Sequence, residues 1–368
     1  MAHPTTLRAR LTGLALGIVA LGLLAGCERT DSVQKGFRGT GMVLVYDKAD
    51  LRTNDAIHQI PEPEPVDPPD PEAPPIKAVF KNVQVLGDLS VLEFSRFMAA
   101  MSTWIAPEEG CNFCHNPKNL ASDEKYTKVV ARRMIQMTRA INNNWQTHVV
   151  QTGVTCWTCH RGQAVPSGEF FSEPARKMPG LMGAKYNENQ AGKPTVGFSS
   201  LPNDPLTRYL VEGDQNIRVQ STQALPGTNG TSIKTAEHTY GLMMYFSGSL
   251  GVNCNYCHNT RAMRSWEQSP PQRTTAWHGI RMVRNINTDY VLPIGPILPP
   301  NRWSAQGDFP KVACKTCHKG AFKPLYGKSM KADYPELWKP DYTKGAPTKV
   351  FIPPPVPEKV AQKTAMLR

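Results

Sequence analysis

One five-residue pattern, two cysteines separated by two residues and followed directly by a histidine, occurs four times in the chain. Two cysteines at this spacing form thioether bonds to the vinyl groups of one haem, and the adjacent histidine is then held beneath the iron as its proximal ligand. The pattern predicts four covalently bound haem c groups. The attachment cysteines are Cys111 and Cys114, Cys156 and Cys159, Cys254 and Cys257, and Cys314 and Cys317; the proximal histidines are His115, His160, His258 and His318.

Disulfide frameworks and zinc sites also use closely spaced cysteines. Here the four copies use eight of the nine cysteines, and a histidine stands behind every pair. Neither a disulfide framework nor an all-cysteine zinc site requires that histidine. The repetition therefore favours haem attachment.

The charge of the chain is strongly positive before any cofactor is counted, with a formal net charge of +12 over 368 residues. Each haem brings two propionates, so four haems add up to about −8 and leave a mildly basic protein. The charge therefore does not predict a nucleic-acid partner. The haems also replace apolar side chains in the core, which suits a chain with 33 prolines and long irregular connections.

A helical segment precedes each motif and must position it. The first begins at a capping box formed by Ser90 and Glu93, and the second begins near Ser122. We expect a mainly α protein with much irregular structure, in which the repeating unit is helix, loop and haem motif. The predicted helices cover residues 90–105, 122–144, 235–250 and 274–290.

The four units also form two similar pairs. The first and third motifs share Cys-Asn-aromatic-Cys-His-Asn, and the second and fourth share Thr-Cys-His-basic-Gly. The helical stretch 136–142 matches 281–287. This predicts two pseudo-symmetric halves, residues 85–165 and 235–325, each holding two haems. The connecting segment 166–234 is rich in Gly, Pro, Asn and Ser, and Val211–Val219 is expected to contribute to a small strand pair.

The N-terminus has the pattern of a bacterial lipoprotein signal peptide. Arg8 and Arg10 precede an apolar run that ends in Leu-Ala-Gly-Cys27, so cleavage of residues 1–26 would leave a lipidated Cys27. The alternative is an uncleaved anchor. Either form places the body on the periplasmic face of the inner membrane, where haem attachment takes place.

The flanking segments carry less information. Residues 27–84 contain an acidic stretch, 61–75, with eight prolines, which predicts an extended polyproline spacer between the anchor and the body. Residues 326–368 form a basic C-terminal tail.

The sixth iron ligand of each haem is open to several interpretations. A methionine thioether from the preceding helix suits haem iron, but helix methionines also serve as core packing. Spacing alone does not choose within the three methionine pairs. These are Met98 and Met101, Met134 and Met137, and Met243 and Met244.

The fourth unit differs from the other three. When its helix is aligned with the second helix, Met282 falls opposite Met137 and Gly279 falls opposite Met134. If Met134 is a ligand, the fourth unit lacks the corresponding methionine. A histidine would then replace it, and the local choice is His278. The other candidates are His148 and His238.

The chain resembles the four-haem cytochrome subunit of the bacterial photosynthetic reaction centre. The resemblance rests on the motifs, their spacing and the stretches 130–134, 138–142 and 152–162, and it covers residues 36–340. It implies that the sixth ligands of haems one to three are Met98, Met134 and Met243, and that the sixth ligand of haem four is His148. It also implies that Arg273 lies near the third haem, where its charge raises the potential.

The resemblance implies an electron-transfer role without substrate chemistry, so no enzyme activity is expected. Electrons would come singly from a soluble periplasmic donor, either a small cytochrome c or an iron–sulfur protein. They would pass along the haems to the photo-oxidised bacteriochlorophyll pair in the reaction-centre membrane subunits, with the third haem nearest that pair and the first haem distal. Three His/Met haems and one His/His haem would have unequal potentials.

Two other function classes share part of this pattern. A multihaem reductase or peroxidase needs an iron with an open sixth position, whereas four plausible sixth ligands exist here for four haems. A lipid-anchored tetrahaem carrier for a respiratory complex would share every motif and differ only in its partner.

Overall fold

The computed structural model describes residues 32–35, 44–66, 72–173, 193–212, 217 and 233–339. The chain forms two compact units, Met1–Asp55 and Ala56–Arg368. The predicted signal peptide, Cys27 and the tail beyond residue 339 lie outside the described residues.

The N-terminal elements are a strand pair and a helix. Strands β1 (Ser32–Lys35) and β2 (Leu44–Asp47) pair antiparallel, with Ser32 opposite Asp47. Helix α1 (Lys48–Ile57) follows β2 directly, and the Asp47 carboxylate accepts a hydrogen bond of 2.8 Å from the Ala49 amide in its first turn. Sequence analysis assigned no structure to this stretch.

The second unit is built from helices and irregular connections, which confirms the predicted mainly α class for the described residues. Short 3-10 helices and one π-helix, Ile286–Val291, connect the α-helices. The α-helices are α2 (Ile76–Val79), α3 (Val91–Ile105), α4 (Tyr126–Asn144), α5 (Gln146–Val149), α6 (Cys156–His160), α7 (Thr207–Leu210), α8 (Ile233–Leu250), α9 (Gln272–Asn285) and α10 (Cys314–His318).

The predicted capping box at the start of α3 is confirmed. The Ser90 hydroxyl accepts from the Glu93 amide at 3.2 Å, and the Glu93 carboxylate accepts from the Ser90 amide at 2.8 Å. Helix α4 begins at Tyr126, later than the predicted Ser122, because the Ser122 hydroxyl instead accepts from the Glu124 amide at 3.2 Å in a local turn.

The other two long helices lie close to their predicted positions. Helix α8 begins two residues before the predicted start and ends at the predicted Leu250. Helix α9 continues into the π-helix, so its predicted end near Tyr290 falls within that π-helix.

Two apolar clusters form most of the described core. One joins α7, α8 and α9 and contains the fully buried Tyr209, Leu210 and Leu242. The other surrounds α3, where Trp104 packs edge-on against Tyr334 with ring centroids 4.6 Å apart.

The buried Arg139 connects α4 to two distant segments through an ion pair and hydrogen bonds. Arg139 binds both carboxylate oxygens of Asp88, at 3.1 and 3.0 Å, and donates to the carbonyls of Val85 and Glu336. Because the guanidinium has these partners, burying its charge is tolerated. The arrangement ties residues 85–88 and 336 to the helix that precedes the second motif.

Two expectations about the flanking segments change. The strand predicted from Val211 is wrong at its start, because α7 ends at Leu210 and Val211 closes its last turn by donating to the Thr207 carbonyl. The described part of the proline-rich stretch is hydrogen-bonded to the haem-motif body and is not a free spacer there. Arg96 on α3 donates to the carbonyls of Glu64 and Pro65, and the Glu64 amide donates to the Tyr334 hydroxyl. Among the described residues, no helix has the length and apolar character needed to cross a lipid bilayer.

Candidate haem-binding sites

The four motifs hold their proximal histidines in one common way. In each motif Nδ1 of the imidazole is hydrogen-bonded to a backbone carbonyl a few residues downstream, which leaves Nε2 for a metal ion. The pairs are His115 with Leu120 at 3.0 Å, His160 with Gln163 at 2.8 Å, His258 with Met263 at 3.1 Å and His318 with Ala321 at 2.9 Å.

The protonation of these histidines also suits metal binding. Burial lowers the pKa of His160 and of His258, and burial together with His148 lowers the pKa of His318 to about 4. A neutral imidazole is the form that binds a metal ion. None of the eight motif cysteines, all among the described residues, forms a disulfide, so each is available for thioether attachment.

The first motif opens onto a cavity that includes the predicted methionines. The cavity holds about 360 Å³ of empty space, part of it open to solvent, and is lined by Met98 and Met101 from α3 and by Cys111, Cys114 and His115. Met101 is only 7% exposed and belongs to the core around α3, whereas Met98 is half-buried. Met98 is therefore the more available thioether on this wall of the cavity.

The fourth motif faces a histidine from a distant part of the chain. The rings of His148 on α5 and His318 on α10 lie with centroids 6.1 Å apart and planes at 67°. Nδ1 of His148 is hydrogen-bonded to the Thr275 carbonyl at 2.9 Å, so both Nδ1 atoms are engaged. Two imidazoles that share one metal ion through bonds of roughly 2.0–2.1 Å have ring centres about 6 Å apart. The pair fits a bis-histidine haem.

Helix α9 makes room for His148. An ideal Cβ built on Gly279 would lie 2.5 Å from Cε1 of His148 and 2.8 Å from its Nδ1. The position aligned with Met134 is thus filled by a distant imidazole. His278, the local candidate, packs edge-on against Trp277 at 4.9 Å, and His238 is buried on α8. The structure brings His148 to His318.

The second and third methionine pairs lie at core surfaces. Met134 is half-buried against Ile294 and Ile297, and Met243 is half-buried against the cluster of α7, α8 and α9. Met137 packs on that same cluster, and the Met244 methyl would lie 2.8 Å from a Cβ at Gly197. The ligand roles of Met134 and Met243 stay predictions.

Arg273 lies beside the third motif. It donates to the Ser265 carbonyl at 2.8 Å and the Ser269 hydroxyl at 2.7 Å, and it stacks on the Trp266 ring at 4.3 Å. Burial raises the pKa of the Cys257 thiol to about 11, and the Arg273 charge opposes that rise. Its charge therefore reaches the attachment site of the third predicted haem.

The second and fourth motifs meet. Sγ of Cys159 and Sγ of Cys317 are 3.0 Å apart. Each of these two motifs is also hydrogen-bonded to the helix that precedes the other motif of its predicted half: the Gly162 amide donates to the Trp104 carbonyl at 2.8 Å, and the Gly320 amide donates to the Ser249 carbonyl at 2.9 Å. The two predicted haems would therefore be attached to adjoining segments.

Two buried asparagines, missed as functional residues by sequence analysis, position these motifs. The Asn142 side chain pairs with both backbone groups of Val154, two residues before Cys156, and donates to the Leu337 carbonyl. Asn287 pairs in the same way with Val312, two residues before Cys314, and donates to the Leu210 carbonyl. The match of 136–142 with 281–287 was the available signal, because both stretches end on these asparagines.

His58 is a second missed residue. It is fully buried, its Nδ1 accepts from the Leu325 amide at 3.1 Å, and its Nε2 lies 3.4 Å from the Lys319 carbonyl. It therefore supports the backbone directly after the fourth motif. The surrounding sequence carries no motif that could have indicated this.

Known proteins are similar to this chain over most of its length. Residues 26–338 match the family described as photosynthetic reaction centre cytochrome C subunit. Proteins named photosynthetic reaction center cytochrome c subunit are similar throughout: that of Rubrivivax gelatinosus is 50% identical over 90% of both chains, and that of Thermochromatium tepidum is 47% identical over 92% of this chain and 83% of its own. The Roseobacter denitrificans protein is 42% identical over 87% of this chain and 89% of its own. The chain belongs to the photosynthetic reaction centre cytochrome c subunit family.

Proposed function

We propose that this chain is the tetrahaem electron-transfer subunit of a photosynthetic reaction centre. It takes electrons from a soluble periplasmic carrier and re-reduces the photo-oxidised bacteriochlorophyll pair in the membrane subunits. The observation that carries this proposal is the family match over residues 26–338, which contains all four haem motifs.

The protein contributes ligands, burial and charge. Each haem supplies a one-electron redox couple when bound. His115 with Met98, His160 with Met134, and His258 with Met243 would hold the first three irons, and His148 with His318 would hold the fourth. A methionine thioether as sixth ligand raises the potential of a haem relative to a second imidazole. In otherwise similar surroundings, the bis-histidine fourth haem would therefore have a lower potential than the three His/Met haems.

The chain is proposed to consist of two related halves, residues 85–165 and 235–325. Three sets of matching hydrogen bonds support this. Asn142 and Asn287 bind corresponding backbone groups, and Thr158 and Thr316 each accept from the amide three residues earlier, at 2.9 and 3.0 Å. The proximal histidines repeat the same two spacings to their carbonyl partners, five residues in the first and third motifs and three in the second and fourth.

The location follows from the N-terminal sequence and the family. A lipid on Cys27, or an uncleaved anchor, would hold the body at the periplasmic face of the photosynthetic membrane beside the reaction-centre membrane subunits. The electron donor is a small cytochrome c or an iron–sulfur protein.

Gene deletion and complementation test the proposal. In a strain of the source organism lacking this chain, re-reduction of the photo-oxidised pigment should slow, and the wild-type gene should restore it. A variant in which the eight attachment cysteines are alanine should not restore it. Mass spectrometry of the purified chain should show four haems. Unchanged re-reduction in the deletion strain would instead favour the respiratory carrier.

A further inference from the structure

We propose that Arg161 and Lys319, called here the cation pair, form a shared electrostatic site that raises the potentials of the second and fourth haems together. The two residues directly follow His160 and His318 and occupy the basic position of the Cys-His-basic-Gly pattern. The inference rests on the proposed haem attachment at these two motifs. It does not depend on which protein accepts the electrons.

Arg161 connects the two motifs. One terminal nitrogen, Nη2, donates to the Thr158 carbonyl in its own motif and to the Cys317 carbonyl in the fourth, both at 3.3 Å. Its Nη1 donates to the Ile57 carbonyl. Its Nε is buried and has no hydrogen-bond partner among the described residues. The guanidinium is thus held where the two motifs meet.

Lys319 brings a second charge to the same place. The residue is 9% exposed, and its Nζ donates to the carbonyl and hydroxyl of Ser167 at 3.0 and 2.7 Å. His58 supports its backbone from the buried side. The ammonium group is therefore fixed in position by neutral partners.

No carboxylate in the described part of the chain forms an ion pair with either cation. Both cations are held by neutral oxygen acceptors, and the carboxylate of Glu169 acts on Lys319 only at longer range.

The charges of the cation pair would act on a haem attached at these cysteines. The thioether bonds lie on one edge of haem c, and the propionates leave from the opposite edge. A cation beside the thioether cysteines would therefore lie away from the propionates of the haems attached there. An oxidised haem carries one more positive charge than a reduced haem, so a nearby buried cation disfavours oxidation and raises the potential. Because Cys159 and Cys317 adjoin, one pair of cations acts on both haems.

A purely structural role is the alternative, since Arg161 also joins three backbone segments. Charge-conserving variants separate the two roles. Both residues have left-handed backbone angles, with φ of 51° at Arg161 and 46° at Lys319. Glutamine, lysine and arginine all carry a Cβ, so each replacement keeps the same backbone strain at its position. Arg161→Gln can therefore be compared directly with Arg161→Lys, and Lys319→Gln with Lys319→Arg.

The experiment is a redox titration of each purified, haem-loaded variant, with covalent haem counted by mass spectrometry and the bis-histidine haem assigned by its electron paramagnetic resonance signal. At a fixed ambient potential, each Gln variant should show about a tenfold higher oxidised-to-reduced ratio at the second and fourth haems, a fall of about 59 mV in midpoint potential. The first and third haems should be unchanged, and the charge-conserving variants should stay close to wild type.

Two results would overturn the inference. One is a set of Gln variants with four haems and wild-type potentials. The other is a pair of charge-conserving variants whose potentials fall as far as those of the Gln variants. If Arg161→Gln loses its second haem during assembly, the same test can be made with Lys319→Gln, because the Lys319 side chain hydrogen-bonds only to Ser167 among the described residues. A wild-type chain with no haem at the second or fourth motif would instead refute the proposed function.

Discussion

His148 and His318 face each other across a gap of 6.1 Å between ring centroids, although they come from helices α5 and α10 in different parts of the chain. Each ring is fixed through Nδ1 by a backbone carbonyl, from Thr275 and Ala321. Their Nε2 atoms would then be available to one iron, so the proposed fourth haem would be held jointly by the two predicted halves.

Replacing His148 by methionine should raise the potential of the lowest or second-lowest haem. A thioether stabilises the reduced iron relative to an imidazole, and the other three haems keep their ligands. Potentiometric titration of the purified chain measures the change. His278→Met is the matched control and should leave all four potentials unchanged. If His148→Met changes none of them either, His148 is not a ligand.

Substituting Gly279 by alanine should displace the sixth ligand of the fourth haem. The new Cβ would lie 2.5 Å from Cε1 of His148, so the imidazole must move away. We expect a high-spin, five-coordinate fraction that binds carbon monoxide. Gly248→Ala on α8 is the control, because a Cβ there meets no heavy atom within 4 Å. Both changes favour helix formation by about 1 kcal/mol, so stability alone would not separate them. A Gly279→Ala protein with a fully low-spin spectrum would contradict the assignment.

Arg273→Gln should lower the potential of the third haem. The partly buried guanidinium is held by Ser265 and Ser269 next to Cys257, and removing its charge favours the oxidised iron. The exposed Arg264, in the loop that precedes α9, supplies the control, since solvent screens its charge. Equal effects of Arg264→Gln and Arg273→Gln on the third haem would argue against a specific role for Arg273.

Asn142→Asp should destabilise the chain more than Asn142→Ala. The buried amide donates to the carbonyls of Val154 and Leu337, and a carboxylate of the same shape would face both oxygens as an acceptor. Loss of these bonds should cost roughly 1–3 kcal/mol for each buried group left unpaired. Urea unfolding followed by circular dichroism measures the difference. Asn287→Asp should behave alike, and similar unfolding midpoints for all variants and wild type would show that the asparagines do not fasten the motifs.

The pH dependence of stability should reveal Asp123, which links the loop after the first motif to α4. Burial raises its pKa, but hydrogen bonds from Arg132 and Asn82 outweigh this and lower the pKa to about 2. Because the folded value lies below the ordinary value of 3.8, the stabilisation is fully present above about pH 4 and is lost as the pH falls through about 2. Wild type should therefore exceed Asp123→Asn in unfolding free energy at pH 7, and the two should converge toward pH 2. A constant difference would exclude this linkage.

The sequence predicted the features that depend on local chemistry. The four motifs, the capping box at Ser90 and the ends of α3, α4 and α8 follow from short-range patterns, and the structure confirms the helices. Pairing across the chain was harder to predict. Gly279 indicated a missing methionine, but spacing favoured the neighbouring His278, and only the resemblance indicated His148. The packing of α5 against α9 brings the distant ring into place.

Two other features could not be predicted from the sequence, because they also depend on contacts between distant parts of the chain. His58 lies in a stretch without any motif, and its burial depends on contacts with Leu325 and Lys319 far along the chain. The cation pair was visible only as a shared basic-Gly pattern. The proposed electrostatic role of this pair depends on the contact between Cys159 and Cys317, which no local sequence pattern predicts.

Flash-induced absorbance on membranes of the source organism tests the central claim most directly. The haem α-bands are followed after a single-turnover flash at poised potentials. We expect haem oxidation within microseconds of the flash, matched by re-reduction of the photo-oxidised pigment, because the donor is held in the same complex. Haems that stay reduced while the pigment recovers from another donor would contradict it.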